Sequence, residues 1–240
     1  MHKIASCLIV LSLALGATAQ DVVDSIVYDE GMKWKVYSSD GPATHFAIKG
    51  GTLWLSTADK VMAVTIRTNK SRSLSTLGAL PASGVTAMLT DPQGTVWIGN
   101  ADGLAALKGS SFKVYTKEDG LAGLPVTDLL ATKDGKLWIG SPEGLTIHQN
   151  GKFTTLQKGD KLRSSNVKCF SRGPDNSVWI GTNFGISIRK ADGTWTSQSM
   201  DNEMSWNDVK ALAYDKRKNH VWAAVGDADV NRWDGKTWKI

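Results

Sequence analysis

Apolar residues recur along the chain in short runs, and turn residues, mainly Gly, Asp and Asn, separate these runs. After residue 20 no segment sustains the i, i+3, i+4, i+7 spacing of apolar positions that marks an amphipathic helix. Short apolar runs between such turns are typical of β-strands joined as hairpins. The pattern therefore predicts an all-β chain in which helices contribute little.

A longer period is superimposed on these runs. One apolar run begins about twelve residues before each repeated tryptophan, a second follows it by six or seven residues, and a last run carries an aromatic residue at Phe112, Phe153, Trp195 and Trp238. Each unit therefore has four predicted strands. The five tryptophans stand 43, 41, 41 and 43 residues apart, at Trp54, Trp97, Trp138, Trp179 and Trp222.

Four-stranded units of about 40 residues that cannot bury both faces alone are typical of a β-propeller, in which such units pack as blades around an axis. A parallel β-helix fits less well because its coils are shorter. We predict a β-propeller of five four-stranded blades. Residues 25–37 align with residues 105–115 and predict an additional outer hairpin. The ring can then close as five blades, close as five and a half to six, or need a partner chain to cover the gap.

The first 19 residues have the three parts of a secretory signal peptide: a basic start at Lys3, an apolar run over residues 4–14, and small residues at Ala17 and Ala19. We expect a signal peptide at 1–19 and a single domain at 20–240 that is secreted or periplasmic, with no stable membrane anchor. Cys169 is then the only cysteine of the exported chain. The stability of the exported chain must therefore come from a hydrophobic core and not from an intramolecular disulfide.

The charge gives little indication of a partner. The chain has 28 Lys and Arg against 23 Asp and Glu, a net charge of +5. The basic residues are scattered, and their run at 216–218 falls at a predicted turn. A nucleic-acid partner is therefore not expected.

Three segments, 95–104, 134–145 and 177–186, share Trp, Ile and Gly in succession and a second Gly four residues later. This motif resembles the propeller repeat of two-component regulators, and the resemblance covers nearly the whole exported chain. In that family the propellers form the periplasmic sensing part of membrane histidine kinases. The resemblance therefore implies a bacterial sensing propeller, although this sequence departs from the family in having five units, no membrane helix and no kinase part.

The repeated residues are expected to be structural, so candidate functional residues are those that break the repeat. First strands line the channel of a propeller, and a ring of aligned positions there holds His45, Asp128 and Cys169. These side chains could hold a soft metal such as zinc. The preferred interpretation is that His45 and Asp128 are hydrogen-bonded channel residues and that Cys169 is a buried thiol. No metal or other cofactor is predicted. Lys168 and Lys210 in the neighbouring ring position could favour an anionic ligand or form a solvated pair.

The loops between blades and the turns after the Trp strands form the face where propellers usually bind. Trp206 lies there in a polar loop, where an aromatic ring can stack on a sugar or anchor a protein. The alternative is a ring tucked onto the blade edge. Equivalent turns carry acidic and aromatic residues that are candidate ligand contacts or solvated turn residues: Asp102, Glu143, Phe184 and Asp227.

The sequence favours an exported binding or sensing propeller, not catalytic, that recognises a carbohydrate or a protein through its loop face. One alternative is a lyase or hydrolase, because streptogramin lyases look similar in their repeated sequence motif. That chemistry needs a histidine and a carboxylate at one mouth of the propeller channel. The alignment places His45, His148 and His220 in the first, third and second strands of three blades. The other alternative is a scaffold completed by a partner chain or by self-association at the N-terminal hairpin.

Overall fold

The computed structural model describes residues 43–57, 60–68, 70–73, 84–108 and 111–240. These residues form twenty β-strands, grouped as five antiparallel sheets of four strands each. The predicted all-β fold with five four-stranded blades is confirmed. The predicted signal peptide at 1–19 and the predicted hairpin at 25–37 lie outside the described residues.

The strands follow one another in chain order, so each sheet is a meander of three hairpins, and the sheets are numbered 1 to 5. Sheet 1 holds β1 His45–Lys49, β2 Thr52–Ser56, β3 Val61–Thr65 and β4 Lys70–Ser73. Sheet 2 holds β5 Ala87–Thr90, β6 Val96–Gly99, β7 Leu104–Lys108 and β8 Ser111–Tyr115. Sheet 3 holds β9 Leu129–Ala131, β10 Leu137–Ser141, β11 Gly144–Gln149 and β12 Lys152–Leu156.

Sheet 4 holds β13 Val167–Arg172, β14 Val178–Thr182, β15 Gly185–Arg189 and β16 Trp195–Gln198. Sheet 5 holds β17 Val209–Asp215, β18 His220–Val225, β19 Asp229–Trp233 and β20 Trp238–Lys239. Three single-turn 3-10 helices, Lys117–Asp119, Pro174–Asn176 and Met200–Asn202, stand in the connections. None of the three helices holds a buried residue, so the strands and the loop residues beside them build the core.

The first hairpin of each sheet turns at the repeated Gly or Asn three residues before the tryptophan. These residues all have positive φ, which Gly adopts without strain and Asn tolerates. The repeat therefore preserves a turn conformation and not a side chain. The angles are 76° at Gly51, 90° at Gly94, 79° at Gly135, 58° at Asn176 and 57° at Asn219.

The Gly two residues after the tryptophan keeps adjacent sheets close. A Cβ at Gly140 would lie 2.9 Å from Val167 Cγ1, and one at Gly181 would lie 2.8 Å from Val209 Cγ1. Both valines begin the first strand of the next sheet. Any larger residue would push that strand away.

Four hydrophobic clusters fill the spaces between successive sheets, and each contains the tryptophan of one sheet together with strand residues of the next. Trp138, for example, is fully buried with Val178 and Ile180 of sheet 4. The innermost strands contact one another in the order β1, β5, β9, β13 and β17. Among the described strands, β17 makes no comparable contact with β1, so the described sheets do not close a ring.

The role of the repeated tryptophans can be tested at Trp138. Replacing this fully buried ring with alanine leaves a cavity between sheets 3 and 4, and we expect Trp138→Ala to lower the free energy of unfolding by about 3–5 kcal/mol. Trp206→Ala removes a ring that is 55% exposed and should cost less than about 1 kcal/mol. Urea unfolding of the two variants checks this, and equal losses would contradict the packing role.

Candidate functional site

The loops between sheets are fixed to one end of the strands by a repeated hydrogen bond. In three successive loops a backbone N–H donates to a buried polar side chain on the third strand of the following sheet. The bonds run from Ala122 to Thr146 Oγ1 at 2.8 Å, from Arg163 to Ser187 Oγ at 2.8 Å and from Ser205 to Asn231 Oδ1 at 2.9 Å. These loops, together with the turns between second and third strands, form the loop face.

Trp206 is the residue directly after one of these anchored positions. The equivalent residues of the two earlier loops are Gly123 and Ser164, so a large ring stands where the repeat otherwise has a small residue. Its ring lies against Gly226, where an added Cβ would be 2.8 Å from Trp206 Cδ1. With 55% of its surface exposed, Trp206 rests on the backbone of sheet 5 and still presents its ring to solvent.

Phe184 lies beside the Trp206 loop. The N–H of Gly185, next to Phe184, donates to the carbonyl of Asn207, next to Trp206, at 2.6 Å. The same Asn207 accepts a hydrogen bond from the N–H of Met200 through its side-chain oxygen, at 2.9 Å. Phe184 is 57% exposed and Met200 is 51% exposed. We call Phe184, Met200 and Trp206 the aromatic patch.

Charged groups border the aromatic patch on the side of sheet 3. Arg163 Nε donates to the carbonyl of Phe184 at 3.3 Å, and its guanidinium lies 3.7 Å from the Asp201 carboxylate. The ammonium of Lys158 is 6.0 Å from the centre of the Phe184 ring. The patch therefore combines apolar rings with hydrogen-bond donors and acceptors at its border. Arg163 and Met200 were not predicted from the sequence, because nothing in the repeat distinguishes them.

The predicted acidic positions share the loop face with the patch. Asp102, Glu143 and Asp227 are exposed in the turns equivalent to that of Phe184. Glu143 pairs with Lys117, whose ammonium is 2.6 Å away, and this hydrogen bond holds the pKa of Glu143 below its usual value. The turns thus present carboxylates from sheets 2, 3 and 5 and an aromatic ring from sheet 4.

Lys168 and Lys210 share one carboxylate. Both ammonium groups contact Asp208, that of Lys210 at 2.6 Å. Burial would raise the pKa of Asp208, but the hydrogen bonds from the two lysines outweigh it and lower this pKa. Together, Lys168, Lys210 and Asp208 therefore carry one net positive charge. Asp208 was missed at the sequence level, although its position beside the first strand of sheet 5 places it between the two lysines.

The ring position at the inner strands does not assemble as a metal site. Asp128 accepts hydrogen bonds from the N–H groups of Phe170 at 2.6 Å and Leu129 at 2.8 Å, so its two oxygens join sheet 3 to sheet 4. Burial and the nearby Asp128 charge raise the pKa of Cys169 to about 12, which keeps it a thiol at neutral pH. Burial lowers the pKa of His45. Within the described ranges no three His, Cys, Asp or Glu side chains group closely enough to hold a metal ion.

Asp128 should make the free energy of unfolding depend on pH. Burial raises its pKa to about 6, against a smaller opposite effect of the two N–H donors. The folded chain therefore holds this proton more tightly than the unfolded chain, whose aspartate has a pKa near 3.9. The free energy of unfolding should then fall as the pH rises from about 4 to about 6, by on the order of 2–3 kcal/mol from this group.

Asp128→Asn should remove this contribution, whereas Asp201→Asn, which changes an exposed carboxylate, should leave it in place. Urea unfolding of the three proteins at several pH values between 4 and 7 measures the slopes. The account is wrong if Asp128→Asn retains the slope of the parent.

No helix in the described part of the chain is long and apolar enough to cross a membrane. A comparison with curated protein sequences gives no match. The two-component regulator propeller family model matches residues 79–102 and 120–143. These two stretches contain the first two strands of sheets 2 and 3, including Trp97 and Trp138.

Several solved structures are similar to the chain. The extracellular domain of a hybrid two-component system from B. thetaiotaomicron has a TM-score of 0.73 and 16% identity, over 87% of this chain and 30% of that one. Virginiamycin B lyase from Staphylococcus aureus has a TM-score of 0.64 and 13% identity, over 87% and 72%. PorZ, a surface component of the type-IX secretion system of Porphyromonas gingivalis, has a TM-score of 0.61 and 14% identity, over 81% and 33%.

At these identities the likeness shows the fold. The chain spans less than a third of the length of the two-component system domain. The sheets agree with that fold, and the family match falls on the same repeat that the sequence motif identified. The chain therefore has a β-propeller fold and carries two-component regulator propeller repeats in its second and third sheets.

Proposed function

We propose that this chain is an exported binding or sensing module that takes a carbohydrate ligand on its loop face, at the aromatic patch. The observation that carries this proposal is the position of Trp206. One side of its ring rests on Gly226 and more than half of its surface is open. A ring held in this way presents a flat apolar surface without a further loss of rotamer freedom on binding.

The surroundings of the ring fit a ligand with many hydroxyl groups. Arg163 supplies donors, and the Asp201 carboxylate is an acceptor at 84% side-chain exposure. The carboxylates of Asp102, Glu143 and Asp227 reach the same face from equivalent turns. Carbohydrates combine an apolar ring face with hydroxyls at its edge, so they match an aromatic ring bordered by polar groups. Lys168 and Lys210 support an anionic ligand less strongly, because Asp208 takes part of their charge.

Export is supported by the sequence at residues 1–19 and by the extracellular domains of B. thetaiotaomicron two-component systems among the similar structures. The same comparison and the family repeat also support a sensing role. A protein surface is the other ligand that an exposed aromatic patch can take.

A glycan array tests the proposed ligand class. We expect the purified chain to bind a subset of glycans, and Trp206→Ala and Phe184→Ala to weaken that binding tenfold or more, which corresponds to about 1.4 kcal/mol. Phe46→Ala removes a ring that is 38% exposed on β1, outside the loop face, and should bind as the parent does. Circular dichroism verifies that each variant is folded.

Unchanged affinity in both loop-face variants would exclude the aromatic patch as the site. If the parent binds no glycan, the carbohydrate proposal is wrong, and a protein ligand on the same surface becomes the candidate to examine.

The likeness to virginiamycin B lyase raises lyase activity as a second candidate. A structure of that enzyme in complex with quinupristin carries a single histidine substitution and is described as catalytically inactive. In this chain the described histidines stand on strands of three different sheets, at His45 of β1, His148 of β11 and His220 of β18. His148 packs among aromatic rings, 5.2 Å from Trp97 and 4.8 Å from Phe153.

We therefore expect no consumption of quinupristin by this chain, measured by chromatography against the Staphylococcus aureus lyase as the positive control. Turnover by the parent that disappears in His45→Ala, His148→Ala or His220→Ala would establish the lyase function instead.

A further inference from the structure

A groove lies on the face of sheet 1 that packs toward sheet 2, and its volume is about 240 Å³. Two rows of residues paired across β2, β3 and β4 line it: Trp54 beside Ala63 and Arg72, and Thr52 beside Thr65 and Lys70. All four residues of β4 are exposed, so the groove opens to solvent where these rows end at Arg72 and Lys70. We call this space the Trp54 groove.

The Trp54 groove stands at the opposite end of the strands from the loop face. Thr52 begins β2, Thr65 ends β3 and Lys70 begins β4. These positions adjoin the turns from the first to the second strand and from the third to the fourth, whereas the loop face contains the turns between second and third strands. A ligand in this groove is therefore independent of the carbohydrate proposed for the aromatic patch.

A small residue leaves the groove open on the side of sheet 1. In sheets 3 and 4 the third-strand residue that pairs with the repeated tryptophan is an isoleucine, Ile147 or Ile188. In sheet 1 the equivalent residue is Ala63, whose methyl group fills much less of the space between β2 and β4. Sheet 2 also has an alanine here, Ala106, but the next sheet covers the tryptophan of sheet 2 with an imidazole ring.

The neighbouring sheet also covers Trp54 less than it covers the equivalent tryptophans. At the three later interfaces a long or aromatic side chain on the third strand of the next sheet packs at the tryptophan. These are His148, 5.2 Å from Trp97, Arg189, 5.9 Å from Trp138, and Trp233, in the cluster of Trp179. The equivalent residue of sheet 2 is Leu107, an aliphatic side chain without a polar group. Ala63 and Leu107 together account for the open space beside Trp54.

The groove carries positive charge that no carboxylate of the described residues neutralises. Lys70 and Arg72 are two residues apart on one strand, so their side chains leave it on the same side, and both line the groove. Within the described ranges neither forms an ion pair, in contrast to the lysine pair at Asp208. Thr52 and Thr65 add two hydroxyl groups, which can donate hydrogen bonds.

We propose that the Trp54 groove binds a dianionic oxyanion, the phosphate or sulfate group of a small molecule. The planar guanidinium of Arg72 can donate two parallel hydrogen bonds to two oxygens of such a group, and the Lys70 ammonium supplies the second positive charge. A dianion matches these two unpaired cations better than a carboxylate does. Pockets for drug-sized ligands measure about 300–1,000 Å³, so the ligand of this groove is smaller than those.

Isothermal titration calorimetry of the full chain with inorganic phosphate, and separately with inorganic sulfate, tests the site at constant ionic strength and above the second pKa of phosphate. We expect saturable binding at one site per chain, and a tenfold or greater loss of affinity in Lys70→Gln/Arg72→Gln. Lys216→Gln/Arg217→Gln removes the same two charged groups from an exposed turn and should bind as the parent does. Acetate, with one negative charge, should bind more weakly. The tighter of phosphate and sulfate identifies the ester that the groove prefers.

Ala63→Ile tests the groove itself, because it keeps both charges and places the isoleucine of sheets 3 and 4 in the open space. It should weaken phosphate and sulfate binding tenfold or more, with an unchanged circular dichroism spectrum. If this variant does not fold, amide NMR of the parent decides, since either ion should move the signals of residues 52–54, 63–65 and 70–72 and not those of 216–218.

The proposal is overturned if neither ion binds saturably, or if acetate binds as tightly as they do. Equal losses of affinity in the two double variants would overturn it as well, because they would show attraction to the overall charge of the chain. Full binding by a folded Ala63→Ile variant, or amide shifts that leave out β2–β4, would place the anion elsewhere.

Discussion

The packing of one tryptophan per sheet against the strands of the next sheet is the interaction on which the rest of this structure depends. A four-stranded sheet this short cannot bury both faces by itself, so its stability comes from its neighbours. Trp138 between sheets 3 and 4 shows the principle, since it is fully enclosed. Gly140 beside it lets the first strand of sheet 4 approach to contact distance. The repeated residues therefore stabilise the scaffold, and the sequence of the loops can vary.

Hydrogen bonds to the sheets limit the conformations of these loops. A recurring hydrogen bond to a buried third-strand side chain fixes the three loops that precede sheets 3, 4 and 5. Trp206 follows the anchor at Ser205, at a position that is small in the two earlier loops. The aromatic patch is thus a local change of side chain on a repeated backbone, which is how a repeat scaffold acquires a specific site.

The sequence predicted the fold closely because the propeller repeat depends on residues that lie near one another in the sequence. Turn residues such as Gly135 and Asn176 take the positive φ that their identity implied, and the tryptophan spacing gave the number of sheets. The exposed positions of Trp206 and Phe184 agree with the predicted loop face. Contacts between loops were not predictable, because Arg163, Met200 and Asp208 acquire their partners only when two distant segments meet. The exposure of Trp222 was not predicted, although Ala223 and Ala224 follow it where Ile and Gly follow Trp97, Trp138 and Trp179.

The central claim is that the loop face, at the junction of sheets 4 and 5, is where this propeller binds. Hydrogen exchange of the chain with and without a bound glycan measures this most directly. The account predicts that the glycan slows exchange at residues 183–185 and 200–207, with little change in sheets 1 and 2. Slowed exchange confined to the inner strands β1, β5 and β9, or to sheet 1, would contradict it.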